Sequence, residues 1–399
     1  MKFKVKMQKR IDRINSFGKL LLLILCVAAY FVFSEFVLKF TIFKEVKDDF
    51  DYYQNLVFSK EESEKTAKFK RDLTSIGKER GISIPGTIIY KYKPAVTESF
   101  TINSDGFRNE EFRKKEKDEF RIALYGDSKI FGFALQTEDT IPYVIEKKLR
   151  KHFNRNITVL NMGVEGHELQ REIATARYYN EKIEPDMVVF YSWINDILGT
   201  FTHSNIDWMP FQGDETLTPI PEETVYDKVR LLNTLRQTYI SDRARITARI
   251  QKSDFAVLPI PPQKVDFAEK FPETFLNRIS DAAAYFDKLG IKSLFILMPL
   301  IQTKKPLSNI EIQTIYMNEA ASPGINLFYS KCIEGVKKAL KTGKYDTNVI
   351  DNSEVFQGIP DTVFYDGIHY APKFLRIEAE HIADELITIL EKGRYFENK

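Results

Sequence analysis

Cysteine is nearly missing from this chain of 399 residues: Cys26 lies inside an apolar run and Cys332 far from it. No disulfide framework or cysteine zinc site can be read from two such residues, and the redox compartment stays open. Histidine is scarce as well. His152, His167, His203, His369 and His381 form no His-x-x-x-His pair or other metal-ligand spacing, so neither a metal nor another cofactor is expected. A cationic body is also lacking: residues 1–19 carry seven Lys or Arg against one Asp, so a formal net charge of +2 leaves −4 for everything after Lys19. Nucleic acid is therefore not an expected partner.

What the chain does have is apolar content, 43% of its residues, enough for a sizeable core. Leu20 to Phe33 is uninterrupted apolar, and counting from Phe17 to Phe36 gives a stretch of roughly 30 Å as helix, with Lys19 and Glu35 near its ends. Cys26-Val27-Ala28 loosely resembles a cleavage site, but the apolar run continues through Ala29-Tyr30-Phe31-Val32-Phe33, which favours an uncleaved anchor over residues 17–38. Lys2, Lys4, Lys6, Lys9, Arg10 and Arg13 precede it, so residues 1–16 are expected in the cytoplasm, the span in a lipid bilayer and the bulk outside.

Residues 44–80 are rich in Lys, Glu and Asp with scattered aromatics, the pattern of a solvated helical stalk before a domain expected over 81–399. Strand character appears at Thr87–Tyr92 and Ser99–Ile102, ending at the turn signal Asp105-Gly106. Beyond Glu119 come short apolar, β-branched runs: Arg121–Tyr125, Ile157–Leu160, Met187–Tyr191, Ser293–Leu297 and Asn348–Ile350. They alternate with helix candidates at Ile141–His152, Glu168–Lys182, Thr274–Leu289, Ile310–Leu340, broken near Pro323-Gly324, and Ala371–Leu390. Continuous apolar strands alternating with helices predict an α/β fold, a parallel sheet covered on both faces. Residues 199–273, with Pro210, Pro219, Pro221, Pro259, Pro261 and Pro262 around the basic piece Lys228–Lys252, read as an insertion that is either a lid or substrate wall over the site or surface decoration.

Four motifs carry chemistry. The first strand ends in Gly126-Asp127-Ser128, which puts a hydroxyl at the sheet edge and its own N–H at a helix start, or else forms an ordinary helix cap. The second ends in Asn161-Met162-Gly163-Val164-Glu165-Gly166-His167, where glycine frees an N–H for an oxyanion or simply makes a tight turn. The third ends in Trp193-Ile194-Asn195-Asp196, an amide donor or a turn cap. After the last strand comes Asp366-Gly367-Ile368-His369, whose spacing lets the carboxylate reach the imidazole, although Asp-Gly is also a common turn. All four fall at the carboxyl edge, where an α/β sheet builds its site.

In this order and context the motifs resemble those of the SGNH (GDSL-like) hydrolases, over roughly residues 100–392. The resemblance implies a three-layer α/β/α domain with a five-stranded parallel, flavodoxin-like sheet. It also implies a catalytic Ser128, Asp366 and His369, with Ser128, Gly166 and Asn195 as oxyanion donors. Asn103-Ser104-Asp105-Gly106-Phe107-Arg108 is similar to a segment upstream of the first motif in membrane-tethered members, and is expected to buttress that strand. Two residues depart from the pattern: Trp193 stands where glycine is usual, and Lys129 follows the nucleophile in place of an apolar or aromatic residue. With His167 they are candidates for a substrate wall.

The expected activity is that of a membrane-anchored, extracytoplasmic serine esterase acting on acyl esters, O-acetyl groups above all, of a small molecule or envelope glycan. A polysaccharide O-acetyltransferase would share the triad and the first half-reaction. Two further alternatives are a non-catalytic envelope scaffold that keeps the fold and a lipase facing the cytosol.

Overall fold

Runs of valine, isoleucine and aromatic residues buried along their whole length form the centre of the domain. In the computed structural model the described residues are 57–76, 78–79, 83–84, 87–88, 91–203, 258–345 and 348–396. They fall in one unit spanning Tyr53–Glu215 and Gln251–Lys399; a second unit, Met1–Tyr52 with Thr216–Ile250, lies outside them. No helix among the described residues is long and apolar enough to cross a membrane. The expected anchor at 17–38, the basic residues 1–16 and the piece Lys228–Lys252 all lie outside the described residues.

The sheet comprises β1 (Phe120–Gly126), β2 (Ile157–Gly163), β3 (Met187–Ser192), β4 (Lys292–Leu297) and β5 (Val349–Asp351), all parallel, in the order β5-β4-β3-β1-β2. This is the expected flavodoxin-like order, and it places β1 between β2 and β3. Register keeps the carboxyl ends level: Gly126 lies opposite Gly163 and Tyr191, and Leu297 opposite Ser192 and Asp351. Every residue of β1 and β3 is buried. Successive strand side chains point to opposite faces, so unbroken burial means that helices cover both.

Around the sheet run α1 (Lys60–Ile76), the single turn α2 (Ser128–Phe131), α3 (Ile141–Phe153), α4 (Leu169–Ile183), α5 (Ile194–His203), α6 (Pro262–Lys288), α7 (Asn309–Ala321), α8 (Ile325–Leu340) and α9 (Pro372–Lys392). Gly324, at φ +85°, starts α8 and accounts for the expected break. Gly290, at φ +71°, follows α6 as a left-handed terminator.

Two boundaries differ from expectation. Helix α6 begins at Pro262 rather than Thr274, so the end of the expected insertion belongs to a helix packed on α8. The mid-helix Pro272 hid this; its ring faces Gly335 of α8, where a side chain would collide with it. The stalk reading also fails for its described half. α1 is docked: Phe69 is fully buried among Tyr92, Phe100, Ile102 and Phe131, and Thr66 donates to the Ala134 carbonyl at 3.2 Å. The strand character at Thr87–Tyr92 resolves into short two-residue ladders, 78–79 with 91–92 and 83–84 with 87–88.

Edge strand β2 is closed by side chains. Ile157 O accepts from Arg150, Val159 N donates to Glu146 at 2.8 Å, and the Asn109 amide pairs with both N and O of Asn161 at 2.9 and 2.5 Å. These alternate residues present their backbone groups away from β1.

Because α1 fills an aromatic pocket rather than standing free, Phe69→Ala should destabilise the domain by about 3–5 kcal/mol in urea unfolding. An unchanged midpoint would mean that α1 is not part of the cooperative unit.

Candidate active site

The turn that carries Ser128 is tight, with little freedom. Asp127, in extended conformation, caps α2 by accepting from Lys129 N at 2.9 Å. Gly163 at the end of β2 lies so close that a side chain there would run into the backbone of Ile130 and Phe131. Arg108, buried, clamps the exit from the turn. Its guanidinium donates to the carbonyls of Phe131 (3.2 Å), Gly132 (2.7 Å) and Leu135 (2.9 Å), and lies over the rings of Phe69, Phe100 and Phe131. Burial pushes its pKa down to about 9, which leaves it cationic at neutral pH. The segment 103–108 was expected to support β1; through Arg108 it holds the loop after Ser128 instead.

The other half of the site is a hairpin-like loop. Phe364 and Tyr370 form an antiparallel bridge, and Tyr365 N donates to His369 O at 3.2 Å. Between them Gly367, at φ +84°, lets the chain reverse. Asp366 Oδ1 accepts from the backbone N–H groups of Ile368 (2.9 Å) and His369 (2.7 Å). Its Oδ2 lies 2.6 Å from His369 Nδ1, and His369 Nε2 lies 2.7 Å from Ser128 Oγ. With Nδ1–H committed to the carboxylate, Nε2 carries the lone pair that faces the hydroxyl. Burial alone would push the Asp366 carboxyl up, but the His369 charge and the hydrogen bonds from His369 and Ile368 outweigh it and hold it low. Phe133 and Tyr365 lie against the imidazole, with ring centroids 5.6 and 6.1 Å away.

The fold thus brings Ser128, His369 and Asp366 into one hydrogen-bonded relay. Gly166 is exposed at φ +76°, with open space beside it, and Asn195 is half-buried in the first turn of α5. Asn195 Nδ2 donates to the His167 carbonyl at 2.8 Å, which fixes the amide and leaves its second hydrogen for a ligand.

The substrate-wall expectation is corrected for all three residues. Trp193 is fully buried, its Nε1 donating to the Met298 carbonyl at 2.9 Å. Its φ of +119° lies in the region that favours glycine, and the indole turns into the core. Lys129 and His167 are each 2% exposed; both point away from solvent and line no wall. A residue's number along a strand end gives its face only if the strand continues straight, and here it turns.

Sequence reasoning missed Arg108's clamp, Phe133, Tyr365 and two buried acidic networks. In one, Glu378 Oε1 accepts from Tyr191 (2.7 Å) and Asn352 (3.1 Å). Burial pushes its carboxyl up to about 8, only partly offset by those bonds and the Lys129 charge. In the other, burial raises Glu168 to about 8, and raises Glu172 and Asp196 too. Among the described residues no group of side chains could hold a metal ion.

No protein-family model matches the chain, and no curated protein does. Solved structures are similar at low identity. A lipolytic protein of the G-D-S-L family from Desulfitobacterium hafniense aligns with TM-score 0.36 and 11% identity, over 66% of this chain and 98% of that one. An acetylxylan esterase from Geobacillus stearothermophilus gives TM-score 0.35 and 13% identity, over 67% and 93%. A lipase/acylhydrolase from Enterococcus faecalis gives TM-score 0.37 and 14% identity, over 69% and 96%.

Glu378 yields a pH prediction. Its pKa is about 8 folded against 4.5 in its ordinary state, so between those values the unfolded chain releases a proton that the folded one keeps. Stability therefore falls as pH rises through that window. Glu378→Gln should show a shallower decline in denaturant titrations from pH 5 to 8; parallel curves would refute the assignment.

Proposed function

We propose that the chain is a serine hydrolase that cleaves acyl esters, O-acetyl esters in particular, at an extracytoplasmic site tethered to the membrane through residues 17–38. The observation that carries this reading is the relay itself, with 2.7 Å from Ser128 Oγ to His369 Nε2 and 2.6 Å from His369 Nδ1 to Asp366 Oδ2. A scaffold has no use for a hydroxyl, an imidazole and a half-buried carboxylate in line.

The chemistry follows from the geometry. Ser128 Oγ attacks the ester carbonyl as its proton passes to His369 Nε2, and Asp366 stabilises the resulting imidazolium. The charge on the carbonyl oxygen is met by the N–H groups of Ser128 and Gly166 and by the free hydrogen of Asn195 Nδ2. His369 returns the proton to the leaving alcohol, and water resolves the acyl-enzyme by the same route. A sugar hydroxyl in place of water would make the reaction a transfer.

Location supports the substrate class. The apolar run with its leading cations favours a body outside the cytoplasm, where O-acetyl groups on envelope glycans are within reach. Acetate release from an acetylated glycan, with and without an acceptor, separates hydrolysis from transfer. Protease accessibility in intact cells tests the orientation.

A fluorophosphonate probe should label the full-length protein in detergent, and Ser128→Ala should abolish the labelling. A folded wild type that stays unlabelled sinks the reading. Asn195→Ala should lower kcat by about 10²–10³-fold with little change in KM. A substitution without effect would remove Asn195 from the oxyanion site.

A further inference from the structure

The lysine beside the nucleophile is in an unusual place for a cation. Lys129 Nζ lies 3.4 Å from Asp127 Oδ2, 2.9 Å from Met298 Sδ and 5.5 Å from the ring centroid of Tyr370. Its side chain and that of Asp127 are almost wholly buried. An interior ion pair contributes little to stability, because desolvation of both charges offsets their attraction, and an apolar residue of the same volume often does as well. Stability alone does not account for this lysine.

The elements it touches suggest what does. Asp127 and Lys129 flank Ser128, Met298 follows β4, and Tyr370 follows His369 directly. Tyr370 is itself pinned, its hydroxyl donating to Pro299 O at 2.8 Å and lying 3.1 Å from Tyr191 Oη. Met298 also accepts from Trp193 Nε1 through its carbonyl. The two residues that depart from the SGNH pattern therefore meet on one methionine, Lys129 at the sulfur and Trp193 at the carbonyl oxygen. The ends of β1, β3 and β4 and the His369 loop are joined at that point, directly beneath the relay.

We propose that Lys129 is a positioning residue. It ties the nucleophile turn to Met298 and to the Tyr370 ring, so that Ser128 Oγ and His369 Nε2 are held in register, and it neutralises the Asp127 carboxylate behind the developing oxyanion. Trp193 is the second tie on the same methionine. This rests on the reading of Ser128, His369 and Asp366 as the reacting relay.

Lys129→Met alone strands the Asp127 carboxylate in the interior and can prevent folding. The decisive variant is Asp127→Asn combined with Lys129→Met, in which asparagine keeps the cap and no buried charge is left unpaired. Two readouts on full-length protein in detergent are needed. One is kcat and KM for p-nitrophenyl acetate. The other is the downfield proton resonance of His369 Nδ1–H, identified by its loss in His369→Ala. The double variant should keep the wild-type circular dichroism spectrum, lose on the order of tenfold in kcat with KM within about twofold, and show a shifted or broadened resonance. A folded double variant with kcat within about twofold and an unmoved resonance overturns the proposal. If the wild type neither turns over nor labels, the hydrolase reading fails by itself, and the resonance still decides whether Lys129 positions His369.

Discussion

Two atoms 241 residues apart along the chain, Ser128 Oγ and His369 Nε2, lie 2.7 Å from each other, and the rest of the domain can be understood as the means of holding that distance. Hydrogen bonds weaken steeply once distance and angle drift, so neither partner can sit on a loose loop. Ser128 avoids this by following β1, which has strand neighbours on both sides. His369 avoids it through the Phe364–Tyr370 bridge and the two backbone N–H groups that fix Asp366. What remains is rotation of the imidazole, and the flanking rings of Phe133 and Tyr365 restrict it.

That flank explains why α1 matters to the site. Phe133 lies on the loop that Arg108 clamps through three carbonyls, and Phe69 of α1 packs edge-on against Phe133 with ring centroids 5.6 Å apart. A helix that reads as a charged spacer is therefore two contacts from the imidazole. Its exposed face carries the Lys and Glu residues that made it look solvated, while Thr66 and Phe69 face inward.

Legibility in the sequence followed the distance over which each feature is determined. The strands were readable because burial on both faces forces unbroken apolar runs, whereas their order came only with the resemblance of the motifs, since apolar runs leave the order open. Ser128, Asp366 and His369 were readable as candidates because each sits at a strand end or in the last loop, and those are the residues the fold brings together. The orientation of Lys129 and Trp193 was not readable. It depends on Met298, more than a hundred residues downstream of either, and on a positive φ at Trp193 that a glycine would have announced and the indole hides. Arg108 was hidden for the same reason, since its acceptors are carbonyls, which leave no signature in a list of side chains. The start of α6 at Pro262 was obscured by Pro272, which is tolerated only because Gly335 makes room for it.

The side chains along β2 have a consequence beyond the site. A parallel sheet ending in a seven-residue strand would ordinarily offer a ladder of unsatisfied amides to any extended chain nearby. Arg150, Glu146 and Asn109 occupy the Ile157, Val159 and Asn161 rungs in turn. At the opposite margin β5 is only three residues long. Neither margin is a template for strand addition, so copies of this domain can be crowded together without their sheets fusing.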